Sequence, residues 1–118
     1  MRFEHHTVVL VRRAARPPEL PPAAGTRLWQ AHRAHRDGLV EQGHVIAAGP
    51  LAGADDPDAG ELCVFVVAPE VAERLYDNDP AVSAGLLTVE VLTWAVPEGN
   101  VRFHGVALPP TLLDPGPR

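Results

Sequence analysis

Two short stretches of this 118-residue chain carry side chains that can move a proton: Ala31-His32-Arg33-Ala34-His35 and Tyr76-Asp77-Asn78-Asp79-Pro80. An imidazole titrates near neutrality. A carboxylate accepting a hydrogen bond from one ring nitrogen fixes the tautomer, favours the protonated form and leaves the other nitrogen to face substrate. Such a pair is suited to proton abstraction, isomerisation or elimination without a metal or organic cofactor, and contributes roughly 10² to 10⁴ in rate. Asp79 is preferred to Asp77 because Pro80 confines it to extended backbone and so holds its carboxylate in place.

Other chemistries are short of parts. All 10 lysine-plus-arginine positions are arginines, which excludes a Schiff-base lysine. Ser83 lacks the upstream glycine of a nucleophile elbow, and Ala48-Gly49-Pro50 with Gly53 does not have the spacing of a phosphate-cradling loop. His32 and His35 stand three residues apart, but a metal would need further ligands that are only scattered along the chain, so no metal site is expected. Asp55, Asp56 and Asp58 lack the calcium-loop pattern and read as a solvated turn. Cys63 is the only cysteine and sits in an apolar run, as a buried thiol does.

Composition excludes partners as well. A formal net charge of −5 would repel a phosphate backbone, and no basic stripe counters it, so nucleic acid is not expected. The longest strongly apolar run, Leu62 to Ala68, is far shorter than the roughly 20 residues that span a bilayer. No membrane partner and a cytoplasmic location are therefore expected. With 46% hydrophobic residues, a chain of this length should form one compact domain.

The elements that must position the two stretches can be read from periodicity. Thr7 to Val11 is a β-branched run and predicts the first strand. Pro17, Pro18, Pro21 and Pro22 predict an extended loop. From Thr26, a candidate N-cap, to Gly43, a helical stop, Leu28, Ala31, His32, His35 and Leu39 recur at helical spacing. His44 to Ala48 predicts a second strand broken by Gly49-Pro50, and Glu61 to Val67 a third. Pro69 opens a second helix that runs to about Tyr76. Thr88 to Val96 predicts the last strand, with Val89 and Val91 on one face and Leu92, Trp94 and Val96 on the other. Residues 1–97 then form the domain. Residues 98–118 form a proline-rich tail in which Val101-Arg102-Phe103 offers an added edge strand.

The order β-α-β-β-α-β implies an α+β, ferredoxin-like fold, a four-stranded antiparallel sheet with both helices on one face. One face is then bare. Yet the third strand carries apolar side chains on both faces, which predicts that the bare faces of two copies pack together as a homodimeric α+β barrel enclosing a pocket.

The residues resemble a known family. Ala31-His32, Leu39 to Gly43 with Val45-Ile46-Ala47-Ala48-Gly49-Pro50, and Asp79-Pro80-Ala81-Val82-Ser83-Ala84-Gly85-Leu86 with Val89-Glu90-Val91 and Trp94 look like the blocks of a YciI-like (YCII-related) protein, over roughly residues 5 to 97. The resemblance implies a dimeric α+β barrel whose active-site dyad is His32, favoured over His35 by its place in the block, and Asp79. It departs at Gly60-Glu61, where many members carry Gly-Ser, so a hydroxyl contact is missing or replaced. The family includes a dehydrochlorinase of hydroxylated aromatics, and related barrels include lactone isomerases and cofactor-free monooxygenases.

The resulting expectation is a cofactor-independent lyase or isomerase acting on a small molecule. His32 moves the proton, Asp79 orients it, and His35, Arg12, Phe65, Leu92 and Trp94 contact the substrate. The alternatives are a noncatalytic barrel that binds a small ligand or assists a neighbouring enzyme, and a cofactor-free monooxygenase.

Overall fold

A computed structural model describes residues 1–104. The chain forms β1 (Phe3–Arg13), α1 (Pro22–Glu41), β2 (Val45–Leu51), β3 (Gly60–Phe65), α2 (Pro69–Leu75), a 3₁₀ turn (Tyr76–Asn78), α3 (Pro80–Ser83) and β4 (Leu87–Pro97). The four strands make one sheet in the order β2-β3-β1-β4, with each neighbouring pair antiparallel. This is the ferredoxin-like α+β arrangement expected from the element order.

Prolines mark the main differences from the sequence reading. The first helix begins a turn before Thr26, because Pro22 occupies its first turn, where a missing N–H costs nothing and the fixed φ already suits a helix. Pro50 lies within β2 rather than ending it. That strand is at the edge of the sheet, where a residue without a donor is tolerated. At the far end of α1, Gly43 adopts φ +81°, and the His44 N–H to Leu39 and Gly43 N–H to Val40 hydrogen bonds close the helix as a Schellman turn.

Strand alternation separates the two sheet faces. Val9, Val11, Cys63, Phe65 and Leu87 turn toward the helices and pack with Leu39, Ala72, Tyr76 and Ala81 in the core. Each large side chain fully buried there contributes roughly 1.5–3 kcal/mol. The buried stripe of α1 is unusual: it consists of His32, Arg36 and Leu39, so two polar groups press where apolar ones would ordinarily sit. On the opposite face Val8, Val64 and Val96 are buried, while Val66, Leu92 and Trp94 are exposed.

Beyond β4 the chain turns back, with the Asn100 N–H bonded to the Pro97 carbonyl. Val101-Arg102-Phe103 forms no strand; Phe103 instead meets the His6 ring edge-on at 5.1 Å. The rest of the proline-rich tail lies outside the described residues.

Candidate functional site

Burial of His32 and Arg36 demands partners, since an unpaired charge in a protein interior is costly. The partners come from two distant elements. Pro80 holds Asp79 at φ −84° and ψ 114°, between the 3₁₀ turn and α3. The carboxylate is expected at a helix exit; it is also the N-cap of the next helix, because Asp79 Oδ1 accepts the Ala81 N–H at 3.0 Å. Its Oδ2 accepts the His32 Nδ1–H at 2.6 Å, and Asp79 is fully buried.

The second partner is Glu61, at the start of β3 opposite Val11 of β1. Gly60 allows this close approach. Its φ is +107°, and a Cβ there would lie 2.2 Å from the Val11 carbonyl oxygen. Glu61 Oε1 accepts from His32 Nε2 at 3.0 Å, and Oε2 accepts from Arg36 Nη1 at 3.2 Å. The imidazole therefore donates through both nitrogens, as an imidazolium does. Burial disfavours that charge, but the hydrogen bonds to Asp79 and Glu61 and their negative charges outweigh it and raise the His32 pKa to about 9. Burial likewise opposes ionisation of Asp79 and Glu61, yet the His32 contact holds both carboxyls below their ordinary range.

These contacts correct one expectation. The second nitrogen of His32 does not face open space; Glu61 occupies it. Sequence reasoning noticed the departure at Gly60-Glu61 but did not place Glu61 in the site. The available signal was a carboxylate at the head of an apolar strand, with the same parity as Cys63 and Phe65. Arg36 was missed too, although it stands one helical turn beyond His32.

His35 lies beside the cluster. Its Nε2–H donates to the Leu75 carbonyl at 2.8 Å, and its Nδ1 lies 3.7 Å from Asp79 Oδ2. The ring is thus fixed to the end of α2 rather than directed at a ligand. Arg12 is exposed on the other sheet face, Phe65 is buried in the core against Tyr76, and Leu92 and Trp94 lie on the uncovered face. The structure brings together His32, Asp79 and His35; Arg12, Leu92 and Trp94 lie on the opposite face of the sheet, and Phe65 is linked to His35 only through Tyr76, which both rings meet. Their alternation was legible, but which face the helices cover depends on packing between elements.

A narrow cleft reaches the cluster between Val11, Arg13, Trp29 and Leu87, with His32 and Glu61 on its floor and about 10 Å³ of space, roughly one water. It adjoins a cavity of about 270 Å³ lined by Arg13, Ala14, Pro17, Trp29, Leu86 and Leu87. That size approaches the range of small-molecule sites, and the walls are mostly apolar. Arg13 stands at the junction, bound to Asp58 at 2.9 Å and with its guanidinium 5.9 Å from the Trp29 ring centre. The Trp29 ring in turn lies 5.5 Å from that of His32. Among the described residues, no group of three or more His, Cys, Asp or Glu side chains is arranged to hold a metal ion, and no helix is long and apolar enough to cross a membrane.

Residues 8–95 match the sequence model of the YCII-related domain. Among solved structures, the chain is similar to the 5-chloro-2-hydroxyhydroquinone dehydrochlorinase of Burkholderia phenoliruptrix AC1100, in complex with 2,5-dihydroxybenzoquinone. That match has 21% identity and a TM-score of 0.49, and covers 79% of this chain and 95% of the other. It is also similar to the apo form of CPII of Thiomonas intermedia K12, a nitrogen regulatory PII-like protein, at 15% identity, a TM-score of 0.39, and coverage of 80% and 95%. No curated protein matches the sequence.

Proposed function

The chain belongs to the YCII-related domain family, and from that footing we propose that it is a cytoplasmic small-molecule enzyme working by proton transfer. The reaction is of lyase or isomerase type, on a hydroxylated aromatic or lactone-like compound, with no cofactor. The Asp79-His32-Glu61 cluster supplies the acid/base chemistry, the neighbouring apolar cavity holds the substrate, and the uncovered sheet face closes against a second copy.

One observation supports this reading above the others: a doubly hydrogen-bonded, buried His32 forms the floor of a cleft. A purely structural role would be served as well by apolar side chains, since a buried ion cluster adds little stability over a well-packed apolar one. The test is turnover across a panel of hydroxylated aromatics and lactones by wild type and His32→Gln, with binding followed by calorimetry. Turnover should fall about 100-fold or more while affinity changes little. Turnover that survives the substitution would remove His32 from the chemistry.

A second reading has its own support. Glu61 closes the nitrogen that substrate would use, as in a barrel that binds a ligand without transforming it. Under that reading the panel gives binding and no turnover by wild type.

A further inference from the structure

The imidazolium of His32 has both N–H groups engaged and no free lone pair, and its side chain is almost wholly buried. Asp79 is deeper still, with one carboxylate oxygen on His32 and the other capping α3. Glu61 differs from both. It lines the cleft, its side chain retains 12% of its exposure, and each of its oxygens keeps a second lone pair beyond the bond to His32 or Arg36. We propose that Glu61, a carboxylate held between His32 and Arg36 at the floor of the cleft, is the group that exchanges a proton with the ligand, and that His32 and Asp79 position it.

This inference rests on the proton-transfer reading above and reassigns the working group within it. His32 and Arg36 face Glu61 from α1, and Asp79 anchors His32 from behind. Cys63 on the same strand and Tyr76 of the 3₁₀ turn are within electrostatic reach below it. On the cleft side stand Arg13 and Asp58, which pair with each other. Two cations in direct contact keep the carboxylate ionised, so it is ready to accept a proton, and the paired imidazolium sets its orientation. A planar, weakly acidic ligand held in the adjoining cavity, with one edge in the water-sized cleft between Trp29 and Leu87, would place its acidic hydrogen against an unused Glu61 lone pair.

The probe is 5-nitrobenzisoxazole, a small planar aromatic whose ring opens when a base removes the C3 proton. The C–H electron pair completes the nitrile, the N–O bond breaks, and oxygen leaves as a coloured phenolate. Wild type should accelerate this opening with a rate flat from about pH 5 to about pH 8, because a carboxylate is ionised throughout that range. Glu61→Gln should reduce the acceleration at least about tenfold with little change in KM. His32→Gln should lower kcat and move the acid limb of the profile upward, a shift that a merely structural role would not produce. The wild-type profile decides the matter even if a variant folds poorly. A rate rising with a midpoint near pH 9, where His32 loses its proton, and surviving Glu61→Gln would overturn the role of Glu61 while keeping proton transfer at this site. Bound probe without acceleration would overturn both, leaving a ligand-binding module.

Discussion

The covered face of the sheet buries His32, Arg36, Glu61 and Asp79 between α1, β3 and the turn before α3, whereas the opposite face exposes Val66, Leu92 and Trp94. Charge is most expensive inside and apolar area is most expensive outside, so the buried charges within the apolar core and the exposed apolar side chains of the other face both call for a cause. The covered face tolerates its charges because every one has an opposite within hydrogen-bonding distance; two cations and two carboxylates leave the cluster without net charge once His32 is protonated. On the opposite face Val8, Val64 and Val96 are buried, but among the described residues nothing comparable shields Val66, Leu92 and Trp94. A contiguous patch of large apolar side chains is the usual mark of an interaction surface. On the reading proposed above, the two faces serve different functions: chemistry on the side closed by the helices, and association through the exposed apolar side chains of the other.

Removing one member of the cluster is the strongest way to break this contrast. Asp79→Ala strips the buried imidazolium of its shortest hydrogen bond and uncaps α3. The expected loss is about 3–5 kcal/mol of unfolding free energy, read from denaturant titration. Asp79→Asn keeps the cap, because asparagine accepts the Ala81 N–H equally well, and should cost roughly half as much. Equal losses in the two variants would mean that the charge, and not the cap, is what Asp79 supplies, and an Asp79→Asn variant as stable as wild type would mean the reverse.

pH provides a milder probe of the same face. The folded pKa of His32 is raised from 6.5 to about 9, so its contribution is fully present below pH 6.5 and is lost as pH rises through 9. The lowered carboxyls act in the opposite sense: their contribution is present above the ordinary carboxylate range and disappears as pH falls through their folded values. Burial raises the Cys63 thiol to about 12, which adds a destabilising slope only above the ordinary thiol range near 9. Between pH 6.5 and about 8.5 the slope therefore belongs to His32, and stability should fall by roughly 2 kcal/mol. His32→Gln should flatten that interval. A wild-type curve that is already flat there would show that the imidazole is neutral in the fold and that the cluster carries a net negative charge.

What the sequence revealed of this arrangement follows from how local each feature is. Strand and helix order was legible because alternation, helical spacing and Gly43 are local signals. The ranges shifted at Pro22 and Pro50, where the effect of a proline depends on whether it enters a helix's first turn or lies on a sheet edge, and neither fact is local. His32 and Asp79 were picked out by residue type, by Pro80 and by the family-like blocks. Glu61 was not, since its role depends on β3 meeting β1 at Gly60 and on α1 crossing both. Leu92 and Trp94 were correctly separated in parity from Val89 and Val91, yet nothing within β4 says which parity the helices cover.

The smallest effect on folding is expected on the uncovered face, and it sharpens the comparison most. Trp94 pairs across the sheet with His6, its ring 5.8 Å from the imidazole, and remains 42% exposed. A substitution at an exposed position that breaks no buried contact ordinarily changes stability by no more than about 0.5 kcal/mol. Trp94→Glu should therefore leave the monomer's unfolding free energy nearly unchanged while adding a charge to the surface proposed to meet a second copy. A charge desolvated without a partner at the centre of an interface opposes association strongly. Sedimentation equilibrium should show wild type as a dimer and Trp94→Glu as a monomer at the same concentration. If both sediment as monomers, the apolar face is open in solution and the contrast between a chemical face and an associating face fails on its second half. If both sediment as dimers, the copies meet elsewhere, and the exposed tryptophan needs a different partner.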